Sequence, residues 1–433
     1  GCFVMTDLVI RKTENLSGTV EAPPSKAYTH RALIAASLSE GRALIQKPLV
    51  CDDTLATIKA CSLLGAKIRK VEGGFVVDGM PTPTTPEDIV HCGDSASTLR
   101  FLTPVCAVTD GISVLTGNEG LRRRPMEPLL DALRQLGVQC YSTQGNGCPP
   151  IIVFGGGIRG GKASIRGDVS SQFVTGLLFG IPKADSDAEI VVTTQLESKP
   201  YVTITLDVLR KHGIKVETSP DYSIFSVPCG QVYTPFDHVI EGDYSSAAFL
   251  LAAAAITNSH VKITNLRMDT LQGDRKVTEV LQEMGSQVKI GEDYVEVLGA
   301  NQGLKGAEVN LRDMPDLVPG CAALACYAHG ETVIRGAGRL RFKESDRIAS
   351  ISDELRRMGG KIMESNEGFI IKGGRLHGAE IDSHRDHRIA MACAIAALGA
   401  EGTTTIHGIE CVDKSYPDFV KDILSLGGEV HVG

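Results

Sequence analysis

Six short strings in this 433-residue chain put serine or aspartate at what reads as the start of an apolar helix. They are Pro24-Ser25-Lys26, Gly93-Asp94-Ser95-Ala96, Asp168-Val169-Ser170-Ser171-Gln172, Gly242-Asp243-Tyr244-Ser245-Ser246, Met314-Pro315-Asp316 and Asp386-His387-Arg388. Serine and aspartate are ordinary N-caps, and capping alone explains any one string. Capping does not explain Lys26, Arg31, Arg100 and Arg388, cations within the first turns of helices that are otherwise apolar. A helix start exposes unpaired N–H groups and a partial positive charge, and a nearby lysine or arginine turns it into an anion site. Several such starts on an acidic chain, with 44 Lys and Arg against 52 Asp and Glu, imply a small substrate carrying more than one phosphate or carboxylate.

The elements that must hold these strings repeat along the chain. A glycine closes a short amphipathic helix six times, at 65, 137, 213, 285, 359 and 427, with spacings of 72, 76, 72, 74 and 68 residues. Four residues before each glycine stands an apolar residue: Cys61, Leu133, Leu209, Leu281, Leu355 or Ile423. A glycine one turn beyond an apolar contact is what a left-handed C-terminal cap requires. In the same phase an Ala/Leu-rich helix runs into a β-branched strand, in 31–45, 97–115, 171–192, 246–263, 316–334 and 387–406. Helices apolar nearly all round are buried ones. Each unit therefore reads strand, buried helix, strand, outer helix, then one or two strands. Six units fit two lobes of three, with residues 21–240 forming the first lobe and 1–20 plus 241–433 the second. Two crossings between lobes suit hinge closure on a ligand.

Composition narrows the function classes. The net charge of −8 without a long basic tract argues against nucleic acid or an anionic membrane as partner. No uninterrupted apolar run exceeds the ten residues of Ala247–Ile256, short of the ~20 that span a bilayer. Twelve cysteines without a CxxC pair, most of them inside apolar stretches, read as small hydrophobes in a reducing compartment, so a cytoplasmic location is expected. Gly1-Cys2-Phe3-Val4 is too short for the apolar part of a signal peptide. Neither a P-loop nor a dinucleotide fingerprint is present, since Gly155-Gly156-Gly157 lacks the spacing of both.

Other polar clusters have bland readings. Of Arg122-Arg123-Arg124, at most one arginine is expected to point inward. The Glu344/Arg347 spacing is that of a surface ion pair worth ~0.2–0.5 kcal/mol. Asp52-Asp53 is expected to cap an outer helix, and Lys414 is a loop lysine without a signal of its own. His384-Arg385-Asp386-His387 could suggest a metal site, but the arginines beside it would repel a cation.

Taken in order, Pro24-Ser25-Lys26, Leu121 to Pro125, Ser170-Ser171-Gln172, Ser198-Lys199-Pro200-Tyr201, Glu241-Gly242-Asp243, Lys343 to Arg347, Asp386-His387-Arg388 and Lys414 resemble the 5-enolpyruvylshikimate-3-phosphate synthase family along essentially the whole chain. The resemblance implies an α/β (α+β) fold of two similar lobes, each of three βαβαββ units around buried parallel helices, with an interlobe cleft. It implies transfer of the enolpyruvyl group of phosphoenolpyruvate to the 5-hydroxyl of shikimate 3-phosphate by addition and elimination, releasing phosphate. No metal and no organic cofactor are implied, the partners are the two small substrates, and a monomer is expected.

By position, the resemblance makes Asp316 the base for the attacking hydroxyl, with Glu344 and Lys26 moving the proton of the enol carbon. Lys26, Ala96, Arg124, Gln172, Arg347, Arg388 and Lys414 would surround phosphoenolpyruvate. Lys26, Ala27, Arg31, Ser170, Ser171, Gln172, Ser198, Tyr201, Asp316 and Lys343 would hold shikimate 3-phosphate. Three positions depart from the family pattern. Ala27 stands in place of a serine, Gly338-Arg339-Leu340 in place of a stretch with asparagine, and Ala96 where glyphosate-sensitive members have glycine.

The sister transferase acting on UDP-N-acetylglucosamine is the nearest rival, but its reactive cysteine has no counterpart in the loop Leu121 to Pro128. RNA 3′-phosphate cyclases share the repeat unit, yet the acidic balance and the missing nucleotide signals weigh against them. A non-catalytic two-lobed binder of phosphorylated metabolites would use the same cations without needing Asp316 and Glu344.

Overall fold

All six repeat glycines adopt positive φ, between 78° and 113°. In each case the amide two residues past the helix's last capping position returns to the carbonyl of the apolar residue: Ala66 to Cys61, Val138 to Leu133, Ile214 to Leu209, Ser286 to Leu281, Gly360 to Leu355 and Gly428 to Ile423, at 2.8–3.1 Å. This is the six-to-one bond of a Schellman cap, whose C′ residue must be left-handed. The repeat read in the sequence is therefore a repeated helix stop.

The structure is a computed structural model and describes residues 5–433, so the Gly1–Val4 segment read above lies outside it. The described residues fall into two compact units, Pro24–Ile240 and Glu241–Gly433 with the segment up to Pro23. Each contains three four-stranded sheets.

Within Pro24–Ile240 the helices are α1 (Lys26–Ser37), α2 (Asp52–Leu63), α3 (Ala96–Cys106), α4 (Glu127–Gln135), α5 (Ser171–Gly180) and α6 (Lys199–Lys211). Two stretches follow the βαβαββ order in full. One pairs Val90–His91 with Ile112–Thr116 in parallel across α3, then adds Ile151–Phe154 and Gln139–Ser142 antiparallel beyond α4. The other does the same with Gly161–Ile165 and Ala188–Val192 across α5. The stretch containing α1 draws its parallel edge from the far end of the unit, where His238–Val239 pairs with Arg42–Gln46.

The second unit carries α7 (Tyr244–Ile256), α8 (Val277–Glu283), α9 (Val318–Ala325), α10 (Arg347–Arg357), α11 (His387–Leu398) and α12 (Phe419–Ser425). Here the N-terminal segment supplies two strands. Ser17–Glu21 lies parallel to His260–Thr264, and Asp7–Arg11 sits antiparallel between Thr403–His407 and Val430–Val432.

The odd-numbered helices are the buried ones. All twelve residues of α11 and every residue of α7 up to Ala255 are buried, whereas α4 buries one stripe, Leu129, Leu130, Ala132 and Leu133. The cysteines described are unpaired and buried or half-buried, and burial pushes the Cys61, Cys106 and Cys321 thiols up to about 12. They pack as small apolar residues, as expected.

Serine or aspartate caps most inner helices: Ser25, Ser95, Ser170, Asp243 and Asp386 each accept an N–H from the first turn. The helix α9 is instead entered through the 3₁₀ turn Pro315–Leu317.

Helices α3 and α5 approach so closely that a Cβ on Gly176 would lie 2.1 Å from the Arg100 carbonyl oxygen, and one on Gly180 2.9 Å from Pro104 Cβ. Glycine at 176 sets this crossing, and both helices carry site residues at their starts. Gly176→Ala is expected to destabilise the protein by about 1–3 kcal/mol, the range for forced overpacking, in urea unfolding. A variant as stable as the parent would mean that the two helices part without cost.

Candidate functional site

In the unit Pro24–Ile240 the starts of α1, α3 and α5 hold three linked groups. Lys26, the first residue of α1, directs Nζ at Asp53 Oδ2, 3.0 Å away. This corrects the capping expectation for Asp52-Asp53. The cap position of α2 is Cys51, whose N–H meets Thr54 Oγ1 at 3.0 Å, and Asp53 is a buried first-turn residue holding the lysine.

Arg31, a turn further along α1, is buried. Its Nε donates to Thr205 Oγ1 (2.8 Å) and its Nη1 to the Ala27 carbonyl (3.0 Å). The guanidinium lies 4.8 Å from the Phe101 ring centre and 6.0 Å from that of Tyr201, so rings on α3 and α6 fix its plane. Burial lowers its pKa to about 10, which leaves it charged at neutral pH.

Arg100 ties the third group together. Its Nη1 donates to Ser170 Oγ (3.3 Å) and Gln172 Oε1 (3.1 Å), and its Nη2 to the Pro125 carbonyl (2.8 Å). Gln172 in turn donates from Nε2 to Ser97 Oγ at 3.0 Å. The bond to Pro125 anchors the loop of Arg124, which is buried while Arg122 and Arg123 are exposed, so one of the three arginines points inward. Ala96 and Ser171 are buried first residues of α3 and α5. Ser198 enters α6 in the left-handed region (φ 52°), ahead of Lys199-Pro200-Tyr201. Lys26, Arg31, Arg100 and Arg124 bring four cations to these helix starts beside the Asp53 carboxylate, the residue types that suit phosphate and carboxylate.

In the second unit the chemistry gathers around Arg347, which is 1% exposed. Its Nε and Nη2 reach the two oxygens of Asp386 (2.9 and 3.2 Å), Nη2 also reaches Glu344 Oε2 (2.8 Å), and Nη1 reaches Asp316 Oδ1 (3.2 Å). Burial acts to lower the pKa of this guanidinium, but the three carboxylates outweigh it and raise the value. The Glu344/Arg347 pair is thus no solvated surface pair. Glu344 precedes α10, and its partner belongs to a buried network.

Glu344 Oε1 also lies 3.7 Å from Lys414 Nζ and 3.6 Å from His387 Nε2, and His387 Nδ1 bonds Ser415 Oγ. Lys414, unremarkable in the sequence, ends a 3₁₀ segment and is buried. Arg388 Nη2 stands 3.9 Å from Asp316 Oδ2, with its guanidinium 5.8 Å from the Phe249 ring centre. Lys343 is half-buried at the end of the turn Gly338–Phe342. Arg339, the residue that departs from the family pattern, donates from Nη2 to the Arg312 carbonyl at 3.0 Å. Three carboxylates (Asp316, Glu344, Asp386) face three cations (Arg347, Arg388, Lys414), a set balanced in formal charge.

Glu344, Asp386 and His387 place ligand-type atoms within 4.8 Å of one another. Arg347 already bonds both carboxylates and comes within 3.5 Å of His387 Nε2, so a guanidinium fills the position that a metal would need.

Sequence reasoning left several of these groups out of the site. Arg100 carried the same signal as Arg31, a cation in an apolar helix start. Asp53 and Asp386 read as caps, and Asp386 is one, accepting the Arg388 N–H at 3.1 Å, but each also holds a site cation. Asp274 gave no signal. It is buried, accepts from Ser245 Oγ at 2.5 Å and faces Asp316, Arg388, Asp243 and Cys321.

The sequence model of the EPSP synthase family (3-phosphoshikimate 1-carboxyvinyltransferase) matches residues 10–423. The chain belongs to this family. A member from Methanococcus maripaludis (strain C5), named 3-phosphoshikimate 1-carboxyvinyltransferase, is 45% identical over 429 residues, covering 98% of this chain and 100% of its own. The Methanocaldococcus jannaschii protein of the same name is 44% identical, covering 98% and 99%. Among solved structures, EPSP synthase from Acinetobacter baumannii superposes with a TM-score of 0.83 at 28% identity, covering 99% of this chain and 100% of that one. The enolpyruvyl transferase NikO from Streptomyces tendae shares the fold (TM-score 0.81, 20% identity, 99% of both chains). The fold class expected from the resemblance is therefore the family's fold. Among the described residues no helix is long and apolar enough to cross a membrane.

Burial, and then the charge of Asp316, raise the Asp274 carboxyl from its ordinary 3.8 to about 7. The folded protein then holds a proton that the unfolded chain gives up near pH 4. Stability from this group is complete below pH 4 and is lost as pH rises through about 7. Between pH 5.5 and 8 the parent is expected to lose about 2 kcal/mol that Asp274→Asn keeps, measured by urea unfolding at both pH values. An identical difference between variant and parent at both pH values would show that Asp274 is ionised throughout.

Proposed function

We infer that the chain is a 3-phosphoshikimate 1-carboxyvinyltransferase, moving the enolpyruvyl group of phosphoenolpyruvate onto the 5-hydroxyl of shikimate 3-phosphate and releasing phosphate. The observation that carries this reading is full-length identity of 44–45% to relatives of that name, joined to two buried charge sets of the kind the chemistry needs. The sister activity on UDP-N-acetylglucosamine lacks comparable support, and a simple binder would have no use for carboxylates gathered beside Arg347.

The division of labour follows from charge. The cations Lys26, Arg31, Arg100 and Arg124 suit the phosphates. The Arg31 guanidinium, stacked on Phe101 and Tyr201, faces shikimate 3-phosphate with Ala27, Ser170, Ser171, Gln172, Ser198, Tyr201 and Lys343. Phosphoenolpyruvate is clamped by Lys26, Arg124, Gln172, Arg347, Arg388 and Lys414, the arginines matching its planar carboxylate. Asp316 takes the proton of the attacking hydroxyl as oxygen bonds to the enol carbon. Glu344 and Lys26 deliver a proton to the methylene carbon, then remove one as phosphate departs, restoring the double bond. The chain acts in the cytoplasm as a monomer.

Ala96 begins α3 next to Ser97, the partner of Gln172. Its methyl group crowds an inhibitor longer than phosphoenolpyruvate and leaves the natural substrate room.

The test is phosphate release from phosphoenolpyruvate on adding shikimate 3-phosphate, with UDP-N-acetylglucosamine giving none. Asp316→Ala is expected to slow that release about 10²–10⁴-fold, the range for a general base, while shikimate 3-phosphate still binds in calorimetry. Full activity in Asp316→Ala would remove its assigned role. Separately, Ala96→Gly is expected to tighten glyphosate inhibition about 10-fold or more, the effect of one methyl group in a fitted pocket. Unchanged inhibition would contradict the crowding argument.

A further inference from the structure

Helix α10 holds the loop that leads into α11 at two levels. At its start, Arg347 bonds Asp386. Two turns later Glu354, 1% exposed, accepts the Asp382 N–H on Oε2 (3.2 Å) and His384 Nε2 on Oε1 (2.9 Å), with Arg357 Nε 3.5 Å from Oε2. Between these anchors His384 and Arg385 both lie in the left-handed region, at φ 55° and 52°. Two successive residues with side chains in that region cost on the order of 1–2 kcal/mol each, so the surrounding structure must impose the turn.

The bonds inside the turn shape it without tying it to α10. The His384 N–H meets Asp382 Oδ1 (2.8 Å), the Arg385 N–H meets Ser383 Oγ (3.3 Å), and the Asp386 N–H meets the Ser383 carbonyl (3.0 Å). Glu354 supplies the tie. What the turn delivers is Asp386, which caps α11 through the Arg388 N–H and orients Arg347. The buried Glu354 carboxylate is costly unless its donors are held, and two of them, the Asp382 N–H and His384 Nε2, belong to this loop.

We propose that Glu354 is a positioning residue. It touches no substrate and holds the left-handed pair His384–Arg385 so that Asp386 meets Arg347, and Arg388 meets Asp316, in the geometry that binds phosphoenolpyruvate. This rests on the assignment of Arg347 and Arg388 to that substrate. Glu354→Gln keeps the shape but presents one acceptor oxygen where two donors converge. It is expected to raise KM for phosphoenolpyruvate about 10-fold while KM for shikimate 3-phosphate moves less than about 2-fold.

Glycine adopts positive φ freely, so Arg385→Gly added to Glu354→Gln is expected to restore most of the loss. A packing defect would not be rescued this way. An unchanged phosphoenolpyruvate KM in Glu354→Gln, or a loss that glycine leaves in place, overturns the proposal. If Glu354→Gln does not fold, His384→Ala with and without Arg385→Gly asks the same question through the other partner. A several-fold rise in KM that glycine reverses supports the proposal, and any other result overturns it. Arg388→Lys checks the underlying assignment separately. A phosphoenolpyruvate KM that it leaves unchanged overturns that assignment and the proposal resting on it, whereas a raised KM there with an unchanged one in Glu354→Gln overturns the role of Glu354 alone.

Discussion

A charge taken out of water must find compensation, and this protein buries charges at the starts of several of its helices. Arg347 shows the constraint in its strongest form, with one guanidinium meeting Asp316 and Glu344 of its own repeat and Asp386 of the next. Its own repeat supplies two of the carboxylates and the following repeat the third. The caps, the glycine stops and the four-stranded sheets that set each inner helix in place are the means by which partners far apart in sequence arrive within 3.2 Å of one nitrogen or another.

The two units solve the burial problem differently, and the difference maps onto the proposed chemistry. In Pro24–Ile240 Arg31 and Arg100 are steadied by neutral groups, while Lys26 pairs with Asp53. Thr205, Ala27, Phe101 and Tyr201 hold Arg31, while Ser170, Gln172 and the Pro125 carbonyl hold Arg100. In the other unit carboxylates do the holding, which suits groups that exchange protons. Burial and the charge of Asp316 raise the Asp274 carboxyl, so it carries less negative charge beside this set than an exposed aspartate would.

Much of the fold was legible because it is written locally. A helix that ends on glycine one turn past an apolar residue declares its stop within six residues, and six copies in phase declare the architecture. The strands that do not follow the local order were harder, since His238–Val239 and Asp7–Arg11 join sheets whose other strands lie far away in sequence. The site was legible where a residue was out of place, as a cation in an apolar helix. It was not legible where a residue had two roles. Asp386 and Asp53 look like capping aspartates, and Glu344/Arg347 looks like a surface pair, because spacing along the chain says nothing of the partner that another repeat brings. Glu354 and Asp274 are ordinary acidic residues until burial makes them unusual.

A double-mutant cycle on unfolding free energy between Arg347 and Asp386, using Arg347→Met and Asp386→Asn, tests the buried network most directly. A coupling of about 2–3 kcal/mol is expected for charges that compensate one another out of water. A coupling below about 0.5 kcal/mol, the value of a solvated pair, would mean that the cluster is open to water and that the fold does not depend on it.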